Sequence, residues 1–172
     1  MNPRATIFLL VLTLAAVGFV FYLNRSVLPT REAEENRRYA AVFEPERVSE
    51  IDITRAGGKM SLRKETGGWR ISEPFEDRAS PESVDRLIMA ARLMEVRDRQ
   101  PGRDPEKFPE AALVPPRLRI ELRGGETAAA IDIGAGTALP GEVFARVDGK
   151  PGVLRVADTI VELAGAAPET FR

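Results

Sequence analysis

From residue 48 onward the chain alternates. Ile51 and Ile53 flank Asp52, Met60 and Leu62 flank Ser61, and Trp69 and Ile71 flank Arg70. A period of two marks strands with one buried face. Glycine pairs punctuate the runs: Gly57-Gly58, Gly67-Gly68 and, later, Gly124-Gly125. A glycine pair between alternating runs is a strong hairpin signal. A turn centred on Gly57-Gly58 sets Ile53 opposite Leu62, and one on Gly67-Gly68 sets Lys64 opposite Ile71. Both turns give one apolar face of Ile51, Ile53, Met60, Leu62, Trp69 and Ile71. The other face carries Asp52, Thr54, Ser61, Arg63, Glu65, Arg70 and Ser72. The pattern predicts a three-stranded antiparallel meander, apolar on one side.

The period then becomes helical. Ser80 is placed to cap, Pro81 to occupy the first turn, and Glu82 to sit near the positive helix end. Val84, Leu87, Ile88, Ala91 and Met94 form one stripe, so the helix covers the meander. Trp69 is then a packing residue, in a core with Ile53, Leu62, Ile71, Leu87 and Ile88. After a connector over 101–116, alternation resumes. A turn at Gly124-Gly125 pairs Leu122 with Thr127, Ile120 with Ala129, and Leu118 with Ile131. "VFARVDGKPGVLRV" reads as a hairpin with a loop over 148–151, Ala145 opposite Leu154 and Val143 opposite Val156. A last helix starts at Asp158 and stops at Gly165. The second core centres on Ile120 and Ile131. The expected fold is α+β: an N-terminal transmembrane helix, then two sequential antiparallel sheet-plus-helix units, β-β-β-α and β-β-β-β-α. The divisions are a tail (1–4), the span (5–23), a charged stalk (24–47), the first unit (48–100), the connector (101–116) and the second unit (117–172).

Residues 5–23 carry no charge. At ~1.5 Å per helical residue they reach roughly 28 Å, close to a bilayer core. Phe19, Phe21 and Tyr22 crowd the end where an interfacial ring sits. A cleaved signal peptide is the competing reading, but the apolar run continues past the small pair Ala15-Ala16. The segment reads as an uncleaved anchor whose partner is membrane lipid. Arg25, Arg31, Arg37 and Arg38 outnumber Arg4, so charge alone tilts the bulk of the chain toward the cytoplasm.

Composition removes chemistry rather than adding it. Of 172 residues 30% are charged, yet the net charge is -1, and there is no histidine or cysteine. Ser-His-Asp, Cys-His and HExxH sites cannot be built within this chain. The charge balance gives no general attraction to nucleic acid. Glu121, Glu126, Asp132 and Asp148 are the carboxylates to consider in the second unit. Asp132 alternates outward and Asp148 sits in a turn, so both read as solvated. "GAG" at 134–136 is too short for a phosphate loop. No catalytic, cofactor or metal residue is assigned, and no small-molecule ligand is expected. Arg117, Arg119 and Arg123 line the face opposite Leu118, Ile120 and Leu122, the best candidate for an acidic partner surface. Phe144 points away from Val143 and Ala145, either as a partner contact or as cover for a second layer.

The order of an apolar segment, "VSEIDITRAGGKMSLRKETGGWRISEP", a capped helix, "FPEAALVPPRLRIEL" and "VFARVDGKPGVLRV" resembles the domain of unknown function 4340 family of bacteria. The resemblance covers about residues 48–172, and "GGWRISEP" and "LVPPRLRI" are its most specific parts. The family pattern has a glycine where Ala112 precedes Leu113 here. Many members carry further repeats, whereas this chain stops at "APETFR" and reads as a short or truncated member. The resemblance implies a membrane-anchored, extracytoplasmic protein associated with ABC export systems of the gliding-motility type. The expected function is a non-enzymatic auxiliary or scaffolding component of such a complex, in the inner membrane with its bulk in the periplasm and with protein partners there. The alternatives are an inner-membrane platform subunit of a secretion or pilus machine and, more remotely, a carboxylate-dependent envelope hydrolase.

Overall fold

The structure, a computed structural model, describes residues 12, 13, 16, 18, 34–125 and 127–172. The chain divides into two compact units, Met1–Arg37 and Arg38–Arg172. In the first, Leu12, Thr13, Ala16, Gly18 and residues 34–37 are helical. Those four residues aside, the expected span at 5–23 lies outside the described residues. No helix among the described residues is long and apolar enough to cross a membrane.

The second unit is built on one antiparallel sheet. Its strands are β1 (Glu50–Arg55), β2 (Gly58–Glu65), β3 (Gly68–Glu73), β4 (Asp77–Arg78), β5 (Val96–Gln100), β6 (Leu118–Gly124), β7 (Thr127–Gly136), β8 (Glu142–Val147) and β9 (Val153–Ala157). The nine strands lie in the order β4-β3-β2-β1-β6-β7-β8-β9-β5. Two short helices, α1 (Pro81–Arg92) and α2 (Thr159–Gly165), complete the unit with a few 3-10 turns. This corrects the expectation of two separate sheet-plus-helix units: among the described residues the second unit is mostly β, with a single sheet. The reason lies at β1 and β6. Each would otherwise present an unpaired edge, and bare edges are costly. Instead Ile51 pairs with Leu122 and Ile53 with Ile120, so two apolar faces become one. Alternation reveals a strand's faces but not its second neighbour.

Two strands lie outside the expected pattern. β4 has only two residues. β5 begins where α1 was expected to finish and pairs with β9 at the far edge of the sheet. Its run Val96, Arg97, Asp98, Arg99 gives almost no apolar signal, as suits an edge strand guarded by charge.

The hairpins form at the expected places, the first three in shifted registers. Arg55 pairs with Gly58 and Ile53 with Met60, so the first turn is centred on Ala56-Gly57. Glu65 pairs with Gly68, centring the second on Thr66-Gly67. The positive φ falls on the following glycine, Gly58 (123°) or Gly68 (111°), a backbone state that side-chain-bearing residues rarely adopt. In the third hairpin Leu122 faces Ala129 and Leu118 faces Ile133. The β8–β9 hairpin has the expected register, Ala145 with Leu154 and Val143 with Val156.

The apolar face of the sheet carries the main core. Ser80 caps α1 by accepting from the Ser83 N–H, and Val84, Leu87, Ile88 and Ala91 are buried beneath the helix. Ile53, Leu62, Ile71, Ile120 and Ile131 are buried, and Trp69 is 5% exposed. Ala40, Ala41, Phe43 and Val48 join this core, so the stretch expected to finish the stalk belongs to the folded body. Arg55 reaches from β1 to the end of α2, donating to the carbonyls of Gly165 (2.7 Å) and Ala166 (2.6 Å). Those carbonyls have no partner within the helix, and a cation also suits the negative helix end.

A smaller core lies on the other face of the sheet. The connector folds back so that Ala111 and Leu113 pack with Val153, flanked by Phe108 and Phe144. Phe144 meets Phe108 edge-to-face, with centroids 5.2 Å apart. Here the Ala111 carbonyl lies against Gly134, leaving no room for a Cβ. Ala112 ends the 3-10 turn Pro109–Ala111 with φ 48° and ψ 46°. It is the one non-glycine residue with positive φ among the described residues.

Candidate functional site

The polar side of the sheet is a lattice of ion pairs rather than a set of independent solvated charges. Register builds it. Arg63 on β2, Glu50 on β1 and Arg123 on β6 face one another across adjacent strands. Arg119 on β6, Asp132 on β7 and Arg146 on β8 form a second such row. Each row places an acid between two arginines, the favourable cross-strand arrangement.

Asp132 is the centre of the second row. It is 1% exposed. It accepts from Arg119 Nη1 at 2.8 Å and from Arg146 Nη2 at 2.5 Å and Nε at 3.1 Å. Arg119 also grips Glu121 (2.7 Å) and Asp148 (3.0 Å). These carboxylates, Glu121 foremost, outweigh partial burial and hold the Arg119 guanidinium above its ordinary pKa.

Asp52 anchors the other half. Ser61 donates to it at 2.6 Å, Arg123 at 3.2 Å, and Lys59 lies 3.3 Å away. Burial opposes its charge, but Ser61, Lys59 and Arg123 more than compensate, so its carboxyl titrates below the usual range. Arg123 also bridges to Glu121, which faces Asp52 directly across β1 and β6. One guanidinium thereby bridges two carboxylates that would otherwise repel. The lattice spans five adjacent strands, β2, β1, β6, β7 and β8, and spreads opposite charges evenly across them.

The expected residues fall into this picture unequally. Arg119 and Arg123 are engaged by carboxylates of their own chain. Arg117 is exposed and makes no ion pair among the described residues. Phe144 is half-buried against Phe108. Asp132 lies beneath two arginines, correcting its reading as a solvated acid, and Asp148 joins the same cluster. Glu126 lies outside the described residues. Among the described residues no group of three or more potential ligands could hold a metal ion.

A second feature lies on the helix side. A groove of about 590 Å³ runs between α1 and α2. Met89, Ala90 and Leu93 wall one side and Ile160 and Leu163 the other. Met89 on α1 and Leu93 at its C-cap stand 43% and 49% exposed, although α1 is a core helix. The helical stripe from Val84 to Met94 identifies the face of α1 that meets the sheet. It leaves Met89 and Leu93 outside that stripe, a signal that the sequence reading passed over.

No curated protein and no solved structure matched the chain. A family model described as a domain of unknown function (DUF4340) matches residues 69–172. The match begins at Trp69 on β3 and takes in both helices, both rims of the groove and the Arg119–Asp132–Arg146 row. On that match, across more than half of its length, the chain belongs to the DUF4340 family.

Proposed function

We propose that the chain is a non-enzymatic auxiliary or scaffolding component of a bacterial envelope ABC-type transport complex. In this reading it is attached to the inner membrane by its apolar segment, with the folded unit in the periplasm. The observation that carries the scaffolding part is the lattice. Asp52 and Asp132, the buried carboxylates of the sheet, are bound by arginine, lysine and serine groups. A general acid or nucleophile needs a carboxylate facing a pocket with its proton or lone pair available. These carboxylates hold strands together, which suits a rigid platform. The transport assignment rests on the family resemblance. Arg117 is the member of the expected stripe left available to an acidic partner.

The test is cross-linking in intact cells followed by capture of the full chain from solubilised membranes. Co-purification of an ATP-binding subunit and its permease is expected. Recovery of pilus or secretion components in their place sinks the transport reading. A phosphatase fused after Arg37, where the folded unit begins, should be active; inactivity there removes the periplasmic assignment.

A further inference from the structure

The folded unit is entered at Arg38. The residues that follow, 38–42, are fastened differently from the strands. Ala40 and Ala41 are buried but bring little apolar area with them, and Val42 is 40% exposed. The first large side chain that the core holds is Phe43. Ahead of it the backbone is anchored by the Ala40 N–H, which donates to the Met94 carbonyl at 2.9 Å, just past the end of α1. Tyr39 forms an antiparallel bridge with Glu95, immediately before β5. Arg38 pairs with Glu95 at 3.2 Å, and the Arg92 guanidinium lies 5.3 Å from the centroid of the Tyr39 ring.

The remaining fastening comes from side chains of other elements. Arg99 on β5 donates to the Tyr39 carbonyl at 3.1 Å. Lys150, in the turn between β8 and β9, donates to the Ala40 carbonyl at 3.0 Å. Neighbouring carbonyls are thus each held by a cation. Burial holds the Lys150 ammonium below its ordinary pKa, and the nearby Arg99 adds to the effect. Closure keeps like charges together; opening returns Lys150 to water. A segment with little buried apolar area, held by a few polar bonds, opens locally at far lower cost than a central strand.

We infer that residues 38–42 form a strap that opens and closes as a unit while the sheet stays folded, with Lys150 as its latch and Phe43 as its stop. The freed stretch spans at most roughly 17 Å when extended. In a protein held at the membrane by its N-terminal segment, that length is added to the tether. The strap then sets how far the folded unit reaches toward a partner. This consequence rests on the membrane attachment proposed above; the opening itself does not.

Amide hydrogen exchange in the full chain, held in mild detergent, tests the strap. The Ala40 amide should exchange at least about a hundredfold faster than the slowest amides of β6, at the centre of the sheet. Urea below the unfolding transition should hardly change its rate. Lys150→Met keeps the aliphatic stem but removes the donor, and should speed Ala40 exchange about tenfold with β6 unchanged. Tyr39 and Glu95 are bridge partners and the chain has no cysteine, so Tyr39→Cys with Glu95→Cys provides a staple. Oxidised, that variant should exchange Ala40 at least about tenfold more slowly than when reduced, a comparison that holds even if Lys150→Met misfolds. An Ala40 rate and urea dependence equal to those of β6 overturn the strap, since residues 38–42 then leave only when the whole sheet unfolds. Fast exchange indifferent to the staple also overturns it, and indifference to Lys150→Met overturns the latch. A chain that proves unattached to the membrane in cells fails the proposed function and the tether consequence, while the exchange result still decides the strap.

Discussion

Replacing Asp132 by alanine tests whether the two halves of the sheet form one cooperative structure. Asp132 sits on β7, accepts three charge-assisted hydrogen bonds from Arg119 and Arg146, and is 1% exposed. Breaking a fully buried pair costs about 3–5 kcal/mol, because the partner charge is stranded. The stranded guanidiniums here are 30% and 32% exposed and can recover water. Arg119 also keeps Glu121 and Asp148. The lower end applies, about 3 kcal/mol. With a urea slope of about 1.5 kcal/mol per molar, the midpoint should fall by about 2 M. The readout is the fluorescence of Trp69, the only tryptophan, on β3, four strands away from β7. In a single cooperative sheet Trp69 reports the full shift, coincident with far-UV circular dichroism. Asp132→Ala with Arg146→Met should regain more than half of the loss, since no guanidinium is then left without its carboxylate. An unmoved Trp69 midpoint, with a separate earlier transition in circular dichroism, would show that the halves unfold independently and refute the argument.

Three further outcomes follow from particular positions. Trp69→Ala removes a nearly buried indole between the sheet and α1 and should cost about 3–5 kcal/mol in urea unfolding followed by circular dichroism. Ala112→Gly should stabilise by roughly 0.5–1 kcal/mol, because relief of the left-handed backbone exceeds the entropy that glycine adds to the unfolded chain; thermal melting gives the sign. Asp52 has a depressed pKa when folded, so its contribution is present above the unfolded carboxyl value of about 3.9 and is lost as pH falls through the folded one. Asp52→Asn should therefore trail the parent in urea midpoint at pH 7, with the gap closing below about pH 4; a gap independent of pH would count against the shift.

The sequence was legible in its faces and misleading in its pairs, for one physical reason. Side chains alternate with a period of two, so a register error of two residues leaves every residue on its correct face. The first three hairpins carry such an error. Centring turns on the glycine pairs still assigned Ile51, Ile53, Leu62, Trp69, Ile71, Ile120 and Ile131 to the core, where they lie. It also slid each partner strand by about 6.6 Å relative to its neighbour. On the polar face that displacement is decisive. A turn centred on Gly124-Gly125 sets Asp132 opposite Arg117, whereas the true register sets it opposite Arg119. The Arg–Asp–Arg row then disappears from view, and Asp132 looks like one more solvated acid.

The same reasoning explains why β5 and the groove escaped notice and why the helices did not. α1 announced itself through Ser80, Pro81 and a stripe of buried residues, which are local signals. The joining of β1 to β6 depends on residues about seventy positions apart, such as Ile51 and Leu122, for which alternation offers no partner preference. Met89 and Leu93 are instead visible as exceptions once the core stripe is drawn. They are large apolar residues on the face of α1 that the sheet does not use. An apolar residue inside a stripe needs no explanation beyond the fold; two outside it, one helical turn apart and beside a recess, mark a surface that the fold itself does not cover.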